Sequence, residues 1–381
     1  DWGALGARFL FAGDPFQLPP VGLTPSLGDR IEADKAGKPI RGYSTENIYT
    51  LAGIDRFDLE EAPNLEGSWI HRLTTNYRSG RSVVELFSRS RYQSGVTSAK
   101  GNDEHDITLG GEQLSAVNLF TFPAYLPTDE EKRSEHLPAS AIIESGVSSV
   151  HVLSAVMAVR LALMLATQNA GKRVIIVCPY NKQVRLCESL LEPFNERHPK
   201  QGEPGEVRMV EVASVHRYQG GEAEVVIFLL NPSASKGNNE GQMVIGKVAL
   251  FNDPHLINVG ISRAKDVVIL LAPEDNMARA DYLGYHLMDD VMTREVTDGL
   301  DVAWTTCVEL EPKLFGRAGL TDRIAVLPLR HMDVLRTQES QQAGNDLVVM
   351  HNKSNLNLIV LRDLLMEGIE QHEGKEAGTE A

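Results

Sequence analysis

The stretch Val174-Ile175-Ile176-Val177-Cys178-Pro179-Tyr180-Asn181-Lys182-Gln183 decides the fold. Five apolar residues, four of them β-branched, read as a strand buried on both faces. Pro179 ends that run, and the pattern behind it predicts a helix over 182–191. Upstream lie an apolar helix over 150–168, broken by Asn169-Ala170-Gly171, a strand over 117–122, a helix over 82–90 and a strand over 70–73. Between 95 and 113 the chain is polar and poorly periodic. Downstream, strands over 209–215 and 225–230 flank a polar loop, followed by a helix over 256–265, a strand over 267–271 and a helix over 275–288. Strands alternating with helices at this spacing predict an α/β fold, a parallel sheet covered on both faces.

The flanks read differently. Residues 1–66 offer one strand over 8–11, a mixture of glycine, proline and charge over 22–43, and a short helix over 46–52, the closing edge of another domain. Past 306 the alternation weakens to strands over 324–327 and 347–349 and a helix over 356–371. The small acidic end, 373–381, has the composition of a disordered tail. The expected division is therefore 1–66, 67–305 and 306–381.

With 381 residues, 42% of them hydrophobic, the chain can bury a large core in about two or three domains. No run reaches the ~18 apolar residues of a membrane span, and no signal-peptide pattern opens the chain. No membrane partner is expected. The chain begins at Asp1, which reads as a segment or a processed product. Its three cysteines, Cys178, Cys187 and Cys307, lack CxxC spacing and an even count. They read as buried thiols rather than a zinc site or disulfide framework, no metal site is expected, and the usage fits a cytoplasmic compartment. The net charge of −15 runs against the basic footprint of nucleic-acid binding, although much of the acidity falls in segments that read as peripheral.

Four short stretches carry chemistry. Ala12-Gly13-Asp14-Pro15-Phe16-Gln17-Leu18-Pro19-Pro20-Val21 comes directly after the strand over 8–11. Gly13 permits a sharp exit, Asp14 and Gln17 offer a carboxylate and an amide, and the proline pair stiffens the end of the stretch. Thr75-Asn76-Tyr77-Arg78 puts a ring and a permanent cation at a strand end, able to stack on a base and pair with a phosphate; alone, a surface arginine beside a half-buried tyrosine explains it more often. In 211–222, Ser214, His216, Gln219, Gly220, Gly221 and Glu222 mark a loop whose glycines allow close backbone approach. A lone QGGE is more often a turn, and His216, with no second metal-ligand candidate nearby, reads as a polar loop residue. Asn258-Val259-Gly260-Ile261-Ser262-Arg263-Ala264-Lys265 is read as a short helix with Arg263 on its face, close to the sheet edge at 177–183. Arg263 there is equally an arginine finger or a helix-end cation set against the dipole.

The order of these stretches resembles the superfamily 1 helicases, in the branch of RNA-surveillance and DNA-end-processing helicases. Residues 12–21 resemble motif III, 75–78 motif IV, 177–183 the PYxxQ segment, 212–222 motif V and 258–265 motif VI. The resemblance spans roughly 5–275 and implies a RecA-like second domain with a remnant of the first. It implies ATP with Mg²⁺ as cofactors and single-stranded DNA or RNA as partner, with protein partners left to 306–381. Gln17, Arg78 and Arg263 would act on the γ-phosphate. Gly13, Asp14, Tyr77, Gln219, Gly220 and Glu222 would surround the nucleotide, while Pro179, Tyr180, Ser214 and His216 would face the nucleic acid. The sequence departs from the family at Gly260 and Ser262, where Ala and Thr are usual. It also contains no G-x-x-x-x-G-K-[ST] and no motif II Asp-Glu pair ahead of residue 12, so the expectation is the carboxy-terminal half of a motor, inactive by itself. The alternative is an ATPase-dead module that binds nucleic acid or protein.

Overall fold

The computed structural model describes residues 12–18, 49, 72–92, 94–122, 143–145, 148–197, 210–231, 234–236, 243–245, 254–273 and 300–316. The elements expected over 8–11, 275–288, 324–327, 347–349 and 356–371 lie outside these residues, as does most of that over 46–52.

In chain order the elements begin with β1 (Thr75–Asn76), α1 (Arg81–Arg91), β2 (Thr97–Ser98), β3 (Thr108–Leu109), β4 (Glu112–Gln113) and β5 (Val117–Phe122). Then come β6 (Ile143–Ser145), β7 (Ser148–Val150), α2 (Val152–Gln168), β8 (Val174–Cys178), α3 (Asn181–Arg197), β9 (Val210–Ser214) and β10 (Ala223–Leu229). The last are β11 (Ala234–Lys236), β12 (Met243–Ile245), α4 (Pro254–Ile261), β13 (Ala264–Pro273), β14 (Val302–Thr305) and α5 (Cys307–Phe315). Six strands form one sheet in the order β14-β5-β13-β10-β8-β9, and every neighbouring pair in it is parallel. The expected α/β sheet is what the chain builds.

Strand side chains alternate between faces, so a strand covered on both sides reads as a nearly continuous apolar run. Val225, Ile227 and Leu229 of β10 enter one core with Val174, Ile176 and Cys178 of β8, beneath α2, α3 and α5. Val226, Phe228 and Leu230 enter the other with Ile175 and Val177, beneath α1 and α4. Helix α2 is buried from Val152 through Ala166, which accounts for its lack of a polar face. The three cysteines are buried free thiols. Among the described residues no helix is long and apolar enough to cross a membrane.

Several expectations need correction. Residues 72–73 are not in a strand; pairing starts at Thr75 and Asn76, against Thr97 and Ser98. The polar region over 95–113 contains β2, β3 and β4. The expected helix over 256–265 stops at Ile261, and β13 begins at Ala264. The cause is pairing: Ala264 registers with Ala223, whose N–H donates to the Arg263 carbonyl at 3.2 Å. Beyond the expected boundary at 305, Cys307, Leu310 and Leu314 of α5 join the core beneath the sheet. The buried Arg160 of α2 donates from Nε to the Leu314 carbonyl at 2.6 Å.

Candidate nucleotide and nucleic-acid sites

At the amino-terminal edge of β10 and β13 the chain gathers charge. The turn after β1 is set by Asn76, whose Oδ1 accepts from the backbone N–H groups of Arg78 and Ser79, both at 2.9 Å. Ser79 Oγ donates to the Ala264 carbonyl at 2.5 Å, and the Gly80 N–H to that of Lys265 at 3.1 Å. Arg78 is thereby tied to β13. Its Nε donates to Glu222 Oε2 and its Nη1 to the Ser262 carbonyl, each at 3.0 Å. The other Glu222 oxygen lies 2.8 Å from Lys265 Nζ. Lys265, then Arg78, holds the Glu222 carboxyl below its ordinary range, and Glu222 in turn raises the Lys265 ammonium. These three residues, with Thr75, Asn76, Tyr77 and Lys100, line an open cleft of about 660 Å³. The Tyr77 ring stands over it 80% exposed, a large apolar surface with little packed against it.

Arg263 lies in the turn between α4 and β13, only 3% exposed. Nη2 donates to Gln17 Oε1 at 2.8 Å, while Nε is buried without a hydrogen bond. Burial, then the neighbouring charge of Arg78, lowers its guanidinium pKa. Two guanidinium groups close enough to repel, one with an unsatisfied donor, are an arrangement an anion would relieve. Gln17 Nε2 donates to Asp14 Oδ2 at 3.2 Å, and Asp14 Oδ1 accepts from the Phe16 N–H at 2.9 Å. Gly13 packs where any Cβ would come within 2.6 Å of Tyr49 Oη.

Pro179 and Tyr180 come directly after β8, and Ser214 ends β9. They sit at the opposite, carboxy-terminal edge of the sheet, where the Val215 N–H donates to the Cys178 carbonyl. The expectation that Arg263 shares an edge with 177–183 is therefore corrected. The loop over 215–222 runs between the two edges, with Tyr218 buried beneath it and His216, Gln219 and Gly220 exposed. Gly220 takes φ +91°, where a side chain would be strained. The structure thus brings Arg78 and Glu222 together, and Arg263 with Gln17 and Asp14. Pro179, Tyr180, Ser214 and His216 stand apart from them. Gln183, from the PYxxQ stretch, is wholly buried. It accepts from the His151 N–H at 2.8 Å and Asn231 Nδ2 at 2.9 Å, and donates to the His151 carbonyl at 3.0 Å. It braces the turn that carries Pro179 and Tyr180.

Sequence reasoning missed Lys100 and the role of Lys265. Lys265 stood inside a quoted stretch, but in what reads as the end of a helix, and its place at the start of β13 beside Glu222 depends on tertiary pairing. Lys100 carried no local signal.

Residues 58–275 match the family described as an AAA domain. MOV-10 of Gallus gallus is 23% identical over 278 residues, covering 71% of this chain and 26% of that protein. The DNA replication ATP-dependent helicase/nuclease DNA2 of Bos taurus is 25% identical over 288 residues, 71% of this chain and 23% of its own length. The DNA-binding protein SMUBP-2 of Mesocricetus auratus is 26% identical over 274 residues, 69% and 22% of the two lengths. The chain spans about a quarter of the length of these relatives.

Proposed function

The chain belongs to the AAA domain family as a superfamily 1 helicase carboxy-terminal region, and from that premise we propose that it is the carboxy-terminal half of an ATP-dependent helicase or translocase on single-stranded DNA or RNA. The observation that carries this reading is the pairing of Arg263 with Gln17 beside a second arginine, Arg78, behind the exposed Tyr77. In this reading Tyr77 stacks on the nucleotide base, and Glu222 contacts the ribose next to Gln219 and Gly220. Arg78 leaves Glu222 and joins Arg263 and Gln17 at the terminal phosphate. Positive charge placed there stabilises the charge that develops during phosphoryl transfer, an effect of about 10³-fold or more in other NTPases. The phosphate-binding loop and the Mg²⁺ ligands belong, in this reading, to a preceding domain. At the other sheet edge Pro179, Tyr180, Ser214 and His216 meet the nucleic-acid backbone, and the 215–222 loop links the two sites. Residues 306–381 are left for protein partners.

The test is ATP turnover stimulated by single-stranded nucleic acid in the intact protein, with and without Arg263→Ala, beside this chain alone. The reading requires turnover that Arg263→Ala abolishes and none from the chain by itself. The second reading is an ATPase-dead module that binds nucleic acid or protein. Nucleic-acid binding without any Arg263-dependent turnover would select it.

A further inference from the structure

The stretch that holds Gln17 is gripped by Tyr92, at the end of α1, and Asn258, which opens the 258–265 stretch on α4; neither was given a role in the sequence analysis. Tyr92 caps the carboxy end of α1, and its hydroxyl donates to Asp14 Oδ2 at 2.5 Å. Asn258, on α4 and wholly buried, donates from Nδ2 to the Tyr92 hydroxyl at 2.8 Å and to the Phe16 carbonyl at 2.9 Å. His255 Nδ1 meets the Gln17 carbonyl at 2.9 Å, and the Phe16 ring packs edge-on against Tyr92, 5.3 Å between centroids.

Donor and acceptor roles make the chain directional. The Asn258 amide can only donate to a hydroxyl already donating to Asp14. Asp14 Oδ2 then accepts both this proton and the Gln17 Nε2 proton. With its Nε2 committed to Asp14, Gln17 must present Oε1 to Arg263, as it does at 2.8 Å. A flipped amide would set N–H against N–H at Arg263 and oxygen against carboxylate at Asp14. Burial and the Asp14 carboxylate push the Tyr92 phenol up, so it stays a donor.

We propose that Tyr92 and Asn258 are positioning residues for ATP turnover: through Asp14 they fix the Gln17 amide, and so hold the Gln17–Arg263 pair in the geometry that meets the terminal phosphate. The inference rests on the helicase reading above. Neither residue lines the cleft beneath Tyr77, so loss of the relay lowers kcat and spares ATP affinity.

The experiment is steady-state ATP turnover by the intact protein carrying Tyr92→Phe, Asn258→Ala, Asp14→Ala or the Tyr92→Phe/Asp14→Ala pair. Tyr92→Phe keeps the ring packing and removes one hydroxyl. The expected result is a loss of about tenfold in kcat, the range for a hydrogen bond to a charged group, with KM and the affinity for a non-hydrolysable ATP analogue within about twofold of wild type. The double variant should lose little more than Asp14→Ala alone, because both substitutions break one relay. Asn258→Ala, a shape change at a different link, should show the same split between kcat and KM. Turnover that Tyr92→Phe leaves within about twofold of wild type, or losses that multiply in the double variant, would overturn the inference alone. An intact protein without Arg263-dependent turnover would overturn the proposed function, and the inference with it.

Discussion

Arg263 Nη2 donates to Gln17 Oε1 at 2.8 Å across 246 residues of sequence. The bond satisfies one donor of a guanidinium that is otherwise buried with its Nε unpaired. Arg263→Ala in the intact protein should therefore lower kcat by roughly 10³-fold. Arg263→Lys should recover little, because an ammonium cannot reproduce the planar fork. Single-turnover kinetics would check both; a lysine variant near wild type would remove the finger role from Arg263.

Tyr77 is the opposite case, an exposed ring that contributes nothing evident to the core. Tyr77→Ala should leave the melting temperature unchanged and weaken binding of an adenine nucleotide by about tenfold, the order of one lost base stack. Titration with a fluorescent nucleotide analogue measures it. A lower melting temperature with unchanged affinity would mean the ring serves packing instead.

Glu222 bridges Lys265 and Arg78, and both hold its carboxyl below the ordinary value of 4.5. A carboxyl depressed in the folded state adds stability above its unfolded pKa and loses it as pH falls through the folded one. The stability gap between wild type and Glu222→Gln should accordingly be open near neutrality, close on acidification below that value, and shrink with added salt because the cluster is half-exposed. Thermal melts across pH and ionic strength test this; a gap that widens in acid would contradict the pairing.

Gly260 is held to its size by the packing. A Cβ at this position would stand 2.7 Å from the Phe228 ring of β10. Gly260→Ala should cost about 1–3 kcal/mol by overpacking, and Phe228→Leu in the same chain should return part of it. Denaturant unfolding of the single and double variants decides; additive losses would place the strain elsewhere.

The sheet was legible in the sequence because its strands are covered on both faces. Val174–Cys178 has its expected bounds because its unbroken apolar run stops at Arg173 and Pro179, and Val117–Phe122, wholly buried despite Asn118 and Thr121, ends as expected at Pro123. Helix α4 was misread at its end because 256–261 is apolar with helical spacing, while its stop is dictated by Ala264 pairing with Ala223 at the start of β10. Helix α5 was missed because its burial depends on the α2 surface it covers, and its short buried face, Cys307, Leu310, Glu311 and Leu314, includes a charged residue.

By itself, then, the sequence determined the layered parallel fold, and through a family resemblance it offered Gln17, Tyr77, Arg78, Glu222 and Arg263, in that order, as candidate site residues. Local pattern suffices for the fold; the candidate residues needed the order of the four stretches. Tertiary structure alone decided that Arg78 pairs with Glu222, that Arg263 meets Gln17, and that Tyr180 and Ser214 stand on the opposite edge of the sheet. Such pairings depend on the direction of each strand and the order of strands in the sheet, which bring distant residues within hydrogen-bonding reach and leave no periodic mark in the chain.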